Sequence, residues 1–382
     1  MMVNEKLKIV IAHGHSSLET FHSLLPFISL AKNINKYEMK FVDYNNKNLY
    51  KYSGDIIILV RKFHQLDIRN NKNIEHMISY INNIKQRFSK VIYFDDSAAV
   101  SHILFFLVPL VDSYWVRGLL KNKNLYSKSF YGGRSYSQYY NQKYNVEDEN
   151  IYLSPSCKDK FPSNIEIAWN IGIGCYPTNK KSLLNIYYSE IRKFSCFLSM
   201  LPSIKPLSLL INKYIKEMIN TLSQEVLLSK KTKLVSARFS SKGYYNSVAF
   251  HRDLVLKKIQ KNELFLKGNT SKWNYIQECN NIYGMLSPFG WGEICYRDFE
   301  ATLGGNLLLK PSMDHIETWP NIYREDCYFK LDWNFNNIDN ISEIFSDQNI
   351  IFDRIMKSRM IYLDAIKNSE KRLEDLINSL FN

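Results

Sequence analysis

Short apolar runs alternate with helically spaced apolar positions through the first half of the chain. KIVIAHG (8–14) is an apolar run that ends in glycine, and a helical pattern follows through Leu30. YEMKFVDY (37–44), DIIILVRK (55–62) and VIYFDD (91–96) predict strands. Residues 73–88 predict a helix with Ile74, Met77, Ile78, Ile81 and Ile84 on one face. Strands that alternate with helices imply a parallel, doubly wound α/β sheet.

From about 119 to 161 the pattern breaks into a Tyr-, Ser-, Asn- and Gly-rich stretch, expected to be irregular. IEIAWNIGIG (165–174) predicts one more strand, and 182–229 predicts helix interrupted by Pro202 and Pro206. A second alternating block begins with the strand KLVSARF (233–239). A helix over 247–260, a short strand over 264–266, a helix over 271–280 and a strand at NLLLKP (306–311) follow. The tail, 350–381, predicts a long helix with a break. The expected domains are an N-terminal Rossmann-like unit (1–180), a helical connection (181–230), a second Rossmann-like unit (231–349) and a C-terminal helix (350–382). A chain of 382 residues is long for one hydrophobic core, which agrees with two.

Composition narrows the class. Hydrophobic residues are 45% and charged residues 23%, the range of soluble globular proteins. The six cysteines show neither CxxC nor zinc-ligand spacing, so a reducing, cytoplasmic setting is expected. The apolar run in MMVNEKLKIVIAHG is only a strand's length, so no secretory signal is expected. ILFFLVPLV (103–111) falls far short of the ~20 residues of a spanning helix and predicts a buried helical segment. The net charge of +13 is concentrated: 175–275 holds 18 Lys and Arg against 5 Asp and Glu. Such a segment suits phosphates, of a nucleotide, an anionic membrane or a nucleic acid.

The chemistry concentrates in SPFGWGEICYRDFEATLGGNLLLKP (287–311). A helix over 293–303 places Glu293, Arg297 and Glu300 on one face. Gly290 and Gly292 in the preceding loop let a ligand approach the main chain. A helix N-terminus attracts phosphate, and carboxylates one or two turns in suit the hydroxyls of a ribose or sugar. The alternative is an ordinary exposed i,i+4 pair, which contributes only about 0.3–0.5 kcal/mol.

This stretch resembles the C-terminal donor site of GT-B glycosyltransferases, enzymes with two Rossmann-like domains and the active cleft between them. The fuller string GWGEICYRDFEA…LLLKPSMDHIETWPNIY resembles uncharacterised bacterial surface-polysaccharide transferases, and RDFEATLGG resembles the Arg-Glu signature of exostosin-like transferases. The resemblance implies that Glu293 contacts the donor sugar and Glu300 the nucleotide ribose. In SARFSSKGYYN (236–246) it implies that Arg238 and Lys242 grip the donor diphosphate. The best-known retaining branch spaces its two glutamates eight apart; here they are seven apart, so the spacing assigns neither retention nor inversion. The implied activity needs no metal or cofactor, with the nucleotide-sugar as substrate. The implied acceptor is a lipid-linked or growing surface glycan, of lipopolysaccharide or capsule. The basic middle would hold the enzyme at the inner face of an anionic membrane.

In the first half, AHGHSS (12–17) ends a strand, and His13 or His15 is a candidate base or acceptor ligand. Asp95 and Asp96, which end VIYFDD, are the other candidate bases. Trp291 and Trp319 are candidates to stack on rings, with core packing the alternative and the one favoured for Trp319. No GxGxxG, Walker or GxSxG motif occurs, so dehydrogenase, NTPase and hydrolase readings lack their signals. Two rival readings are a basic nucleic-acid-binding protein and a catalytically inactive GT-B scaffold. The first is disfavoured by the acidic motif region, and no nucleic-acid partner is expected.

Overall fold

The computed structural model describes residues 6–14, 18–43, 49–61, 71–174, 198, 201 and 203–382. Seven strands lie in the first half: β1 (Leu7–His13), β2 (Tyr37–Asp43), β3 (Gly54–Val60), β4 (Phe88–Asp95), β5 (Ser113–Val116), β6 (Gly118–Leu120) and β7 (Ile165–Ile167). All but β6 form one parallel sheet in the order β2-β1-β3-β4-β5-β7. Its central strands read as apolar runs because helices cover both faces; Ile56 to Val60 are fully buried.

The second half holds β8 (Thr232–Ala237), β9 (Phe265–Lys267), β10 (Ile282–Leu286), β11 (Leu307–Pro311), β12 (Ile316–Thr318) and β13 (Phe329–Leu331). All but β12 form a second parallel sheet, β13-β11-β10-β8-β9. Counted within its own domain, each sheet therefore begins 2-1-3-4-5. Both have their topological switch beside the first strand, where loops diverge and leave a crevice. Two doubly wound α/β domains are the architecture that the alternating pattern implies, and the GT-B arrangement.

Two devices fix one domain against the other. Strands β6 and β12 pair antiparallel, with Gly118 opposite Thr318 and Leu120 opposite Ile316. A Cβ on Gly118 would lie 2.8 Å from the Glu317 carbonyl oxygen, so the pairing needs glycine there. The chain then ends in two helices, Gln348–Lys367 and Ser369–Asn378, that return to the first domain. Glu370 pairs with Lys32 at 2.5 Å, and Tyr37 donates to Glu374 at 2.8 Å. The buried Arg359 donates to the terminal carbonyls of two helices, those of Thr302 and Leu303 and those of Thr221 and Leu222.

Several elements differ from the sequence reading. IYGML (282–286) is the central strand of the second sheet, although no strand is legible there. It follows the helix Lys272–Asn281 without a breaking residue, so the change of period is hidden. ILFFLVPLV is largely buried, with Pro109 exposed, but not a helix segment; it runs through successive i→i−3 turns, with one short 3₁₀ turn at Val108–Leu110. Pro109 lacks the N–H that a continuing α-helix would use. The strand expected over 165–174 stops at Ile167, and Ile171–Gly174 is a 3₁₀ turn. The irregular segment contains a helix, Ser135–Tyr144, rich in buried tyrosine. The tail breaks at Asn368, between its two helices. No helix among the described residues is long and apolar enough to cross a membrane.

Candidate active site in the interdomain cleft

A cleft of about 870 Å³ opens between the C-terminal edges of the two sheets. From the second domain it takes the loops after β8 and β10 and the helices that follow them, which flank that sheet's switch point. From the first it takes Arg61 after β3, Asp96 to Ala99 after β4, Arg117 after β5, and the 132–134 turn.

The loop after β10 is held from several sides. Phe289 N–H donates to His251 Nε2 at 2.9 Å. That ring nitrogen is therefore an acceptor, and Nδ1–H faces the Tyr140 hydroxyl at 2.6 Å. Burial pushes the His251 pKa well down, so the ring is neutral. Tyr136 donates to the Gly290 carbonyl at 2.5 Å. A Cβ on Gly292 would lie 1.8 Å from the Ala98 carbonyl oxygen, whereas one on Gly290 would meet nothing closer than 3.6 Å. Gly292 thus permits contact between domains, while Gly290 lines the cleft without crowding.

The helix that follows is Tyr296–Gly304, and it begins three residues later than the sequence reading had it. Cys295 is the N-cap, and its N–H donates to Asp298 at 2.9 Å. Asp298 also takes Lys310 Nζ at 3.0 Å and the Tyr323 hydroxyl at 2.7 Å, with both members of the ion pair fully buried. These bonds fix the helix start. Arg297 and Glu300 lie on the helix and line the cleft; Glu293 lies before it. The three do not share one helical face.

The Glu293 carboxylate is fully buried. It accepts from Val100 N–H at 3.2 Å and from Ser135 Oγ at 3.3 Å, both of the first domain. Burial raises its pKa, opposed by the N–H groups it accepts from and by Arg134. Glu300 accepts from Tyr275 at 2.6 Å and lines the cleft. Arg238 is committed to Glu278, with Nη2 to Oε2 at 2.8 Å, and is absent from the cleft wall. Lys242 is exposed and also outside the wall.

In the first domain His13 is fully buried at the end of β1, its Nδ1 3.2 Å from the Gly14 carbonyl, and it does not reach the cleft. His15 lies outside the described residues. Asp95 faces inward, taking the Tyr114 hydroxyl at 2.5 Å, Ser97 N–H at 3.0 Å and Arg61 at 3.4 Å. Asp96 lines the cleft, bonded by Ser23 at 3.1 Å and paired with Arg117 at 3.5 Å. Burial raises its pKa, and Arg117 opposes that shift. Trp291 is 41% exposed on the cleft rim, and Trp319 is half-buried outside it.

The sequence did not single out Arg61, Arg117, Arg134, Arg252 or His102, all of which line the cleft. Arg252 is buried; it donates to the carbonyls of Ser240 at 2.6 Å and Phe289 at 2.8 Å and stacks 4.7 Å over Tyr244. Burial lowers its pKa. Arg297 donates to the Arg238 carbonyl at 2.6 Å, and its Nε is buried without a hydrogen-bond partner. Arg134 reaches across from the first domain to donate to the Trp291 carbonyl at 2.8 Å. Among the described residues none of these three is in an ion pair. Main-chain carbonyls orient them; burial works against the Arg297 charge, while Tyr275 and Glu300 nearby favour it and its pKa is raised. The local contexts of Arg134 and Arg252 are GGR at 132–134 and HRD at 251–253, and neither string by itself marks a cleft residue.

No family model and no curated protein matches this chain. Among solved structures it is similar to a glycosyltransferase from Rickettsia africae, at 9% identity and a TM-score of 0.48 over 99% of each chain. It is also similar to an α-glucosyltransferase in complex with UDP, at 11% identity and 0.43 over 99% of this chain and 100% of that one. An α1,3-fucosyltransferase with GDP gives 12% and 0.44 over 100% and 93%. These likenesses concern the course of the chain and not its chemistry.

Proposed function

We propose that this protein is a glycosyltransferase that moves a sugar from a nucleotide-sugar donor to a glycan acceptor. The observation that carries the reading is the set of three arginines, Arg134, Arg252 and Arg297, that among the described residues have no ion-pair partner and line a cleft at the second sheet's switch point. A diphosphate supplies the ion-pair partner that they lack. Glu300, on the same helix face as Arg297 and partly engaged by Tyr275, suits the ribose hydroxyls.

In the transfer, an acceptor hydroxyl attacks the anomeric carbon as the bond from that carbon to the diphosphate oxygen breaks. The diphosphate leaves with the electron pair, and its developing charge falls among the guanidinium groups. The acceptor proton passes to a base. Asp96 is the one described member of the predicted bases whose side chain lines the cleft. Glu293 acts in this reading as the residue that positions the loop, through Val100 and Ser135. The arginines take the part a divalent cation plays elsewhere, so donor binding is expected to survive EDTA.

The finer reading is a lipid-linked or growing surface glycan as acceptor, at the inner face of an anionic membrane. Lys205, Lys213 and Lys216, exposed on the helix Lys205–Ser223, support it by their charge. Calorimetric titration with UDP, GDP, ADP, dTDP and CMP in EDTA tests the donor site. One nucleotide is expected to bind, and Glu300→Ala to weaken it about tenfold; unchanged affinity in the folded variant would remove Glu300 from the site.

A further inference from the structure

The cleft has a second feature, on the rim where Arg134 crosses from the first domain to Trp291. Gly132 and Gly133 turn the chain with φ of 63° and 70°. A Cβ on Gly133 would lie 2.9 Å from the Tyr152 ring and 3.8 Å from His102, so the turn packs directly on that pair. The next residue, Arg134, lies over the rings of Trp291 and Tyr245, 5.8 and 5.6 Å from their centroids. Trp291 in turn contacts Tyr244 and Tyr245 at centroid distances of 4.9 and 5.3 Å. One continuous surface therefore runs from His102 and Tyr152 through the glycine turn to Trp291.

Its two ends have different chemistry. Trp291 and Tyr245 are 41% and 47% exposed on the cleft wall, beside the Arg134 guanidinium. At the other end His102 is more than nine-tenths buried yet lines the cleft. Its Nε2 meets the Tyr152 hydroxyl at 2.5 Å, while its Nδ1 is buried with no hydrogen-bond partner. Whichever tautomer the Tyr152 bond selects, Nδ1 is left as a lone donor or a lone acceptor. A hydroxyl satisfies either, since it donates and accepts. Burial lowers the His102 pKa to about 4, so the ring stays neutral and does not demand an anion.

We propose that this surface is the acceptor subsite and that it takes a pyranose ring, whose C–H face lies on Trp291 and whose hydroxyl edge reaches His102 Nδ1. A ligand with an apolar face and a hydroxyl edge has the chemistry of both ends. The assignment of the sugar as acceptor rests on the donor reading above; the ring-binding surface itself does not.

Saturation-transfer NMR on the full chain tests it, with methyl β-glucopyranoside, methyl β-galactopyranoside and methyl α-mannopyranoside as probes and no nucleotide present. At least one glycoside is expected to receive saturation at its ring C–H protons. Trp291→Ala is expected to cut that transfer at least fivefold, and Trp291→Phe to keep about half. The nucleoside diphosphate Kd is expected to rise less than fivefold in either variant, since the Trp291 ring supports Arg134, one of the three donor-site arginines. Absence of transfer to all three glycosides would overturn the proposal, as would equal transfer in Trp291→Ala. A nucleotide Kd raised fivefold or more with transfer unchanged would also overturn it, and would make Trp291 a platform for the donor base. If no nucleotide binds while transfer still depends on Trp291, the subsite stands and the donor reading falls.

Discussion

The two walls of the cleft carry the same kind of side chain and treat it differently. On the first wall Arg61 and Arg117 each face an aspartate, Asp95 at 3.4 Å and Asp96 at 3.5 Å. On the second, Arg252 and Arg297 face main-chain carbonyls, and Arg134 crosses the cleft to do the same. A carbonyl orients a guanidinium without cancelling its charge, whereas an aspartate does both. The first wall is therefore a near-neutral polar surface and the second a cationic one. Neutral hydroxyl ligands suit the first, and a diphosphate suits the second.

The largest expected effect comes from removing charge on the second wall. Arg252→Gln with Arg297→Gln deletes two charge-assisted donors, each contributing about 1.5–3 kcal/mol, so nucleoside diphosphate affinity is expected to fall at least a hundredfold by calorimetry. A loss below tenfold in a folded double variant would break the distinction between the walls.

Next in size is the contact that holds the walls together. Gly292→Ala drives a methyl group to within 1.8 Å of the Ala98 carbonyl oxygen and is expected to cost about 1–3 kcal/mol of stability. Gly290→Ala meets only ordinary contacts and is expected to melt close to the parent. Equal melting points for the two would contradict the placement of the loop.

A smaller effect depends on pH. Burial holds the Glu293 pKa above its ordinary 4.5. A carboxyl that binds its proton more tightly when folded favours folding at low pH and loses that contribution as pH rises through the folded value. Glu293→Gln keeps an acceptor for Val100 N–H without titrating. It is expected to melt near the parent below pH 4.5 and above it at pH 8. A gap that is largest at low pH would reverse the sign and refute the argument. Smallest of all, Arg61→Gln and Lys242→Ala are expected to change nucleotide affinity less than about threefold, because one charge is already compensated and the other lies outside the cleft.

Much of this fold was legible in the chain. Strands such as DIIILV and helices such as 71–85 announce themselves by period, since parallel strands buried on both faces need uninterrupted apolar runs. The strand Ile282–Leu286 was hidden because it abuts a helix with no turn residue between. The site was legible around 287–311 and at Asp96. That stretch gave Arg297 and Glu300 on the cleft wall, but it did not reveal that the Cys295–Asp298 cap starts the helix after Glu293. Arg134 and Arg252 lie far from Arg297 in sequence. Only the packing of two domains brings them together, and local spacing carries no trace of it.

The most direct test of the account is a crystal structure of the chain with the nucleoside diphosphate that binds it. The account predicts phosphate oxygens within hydrogen-bond distance of Arg252 and Arg297, with the ribose at Glu300. Phosphates seated at Arg238 and Lys242, or outside the cleft altogether, would contradict it.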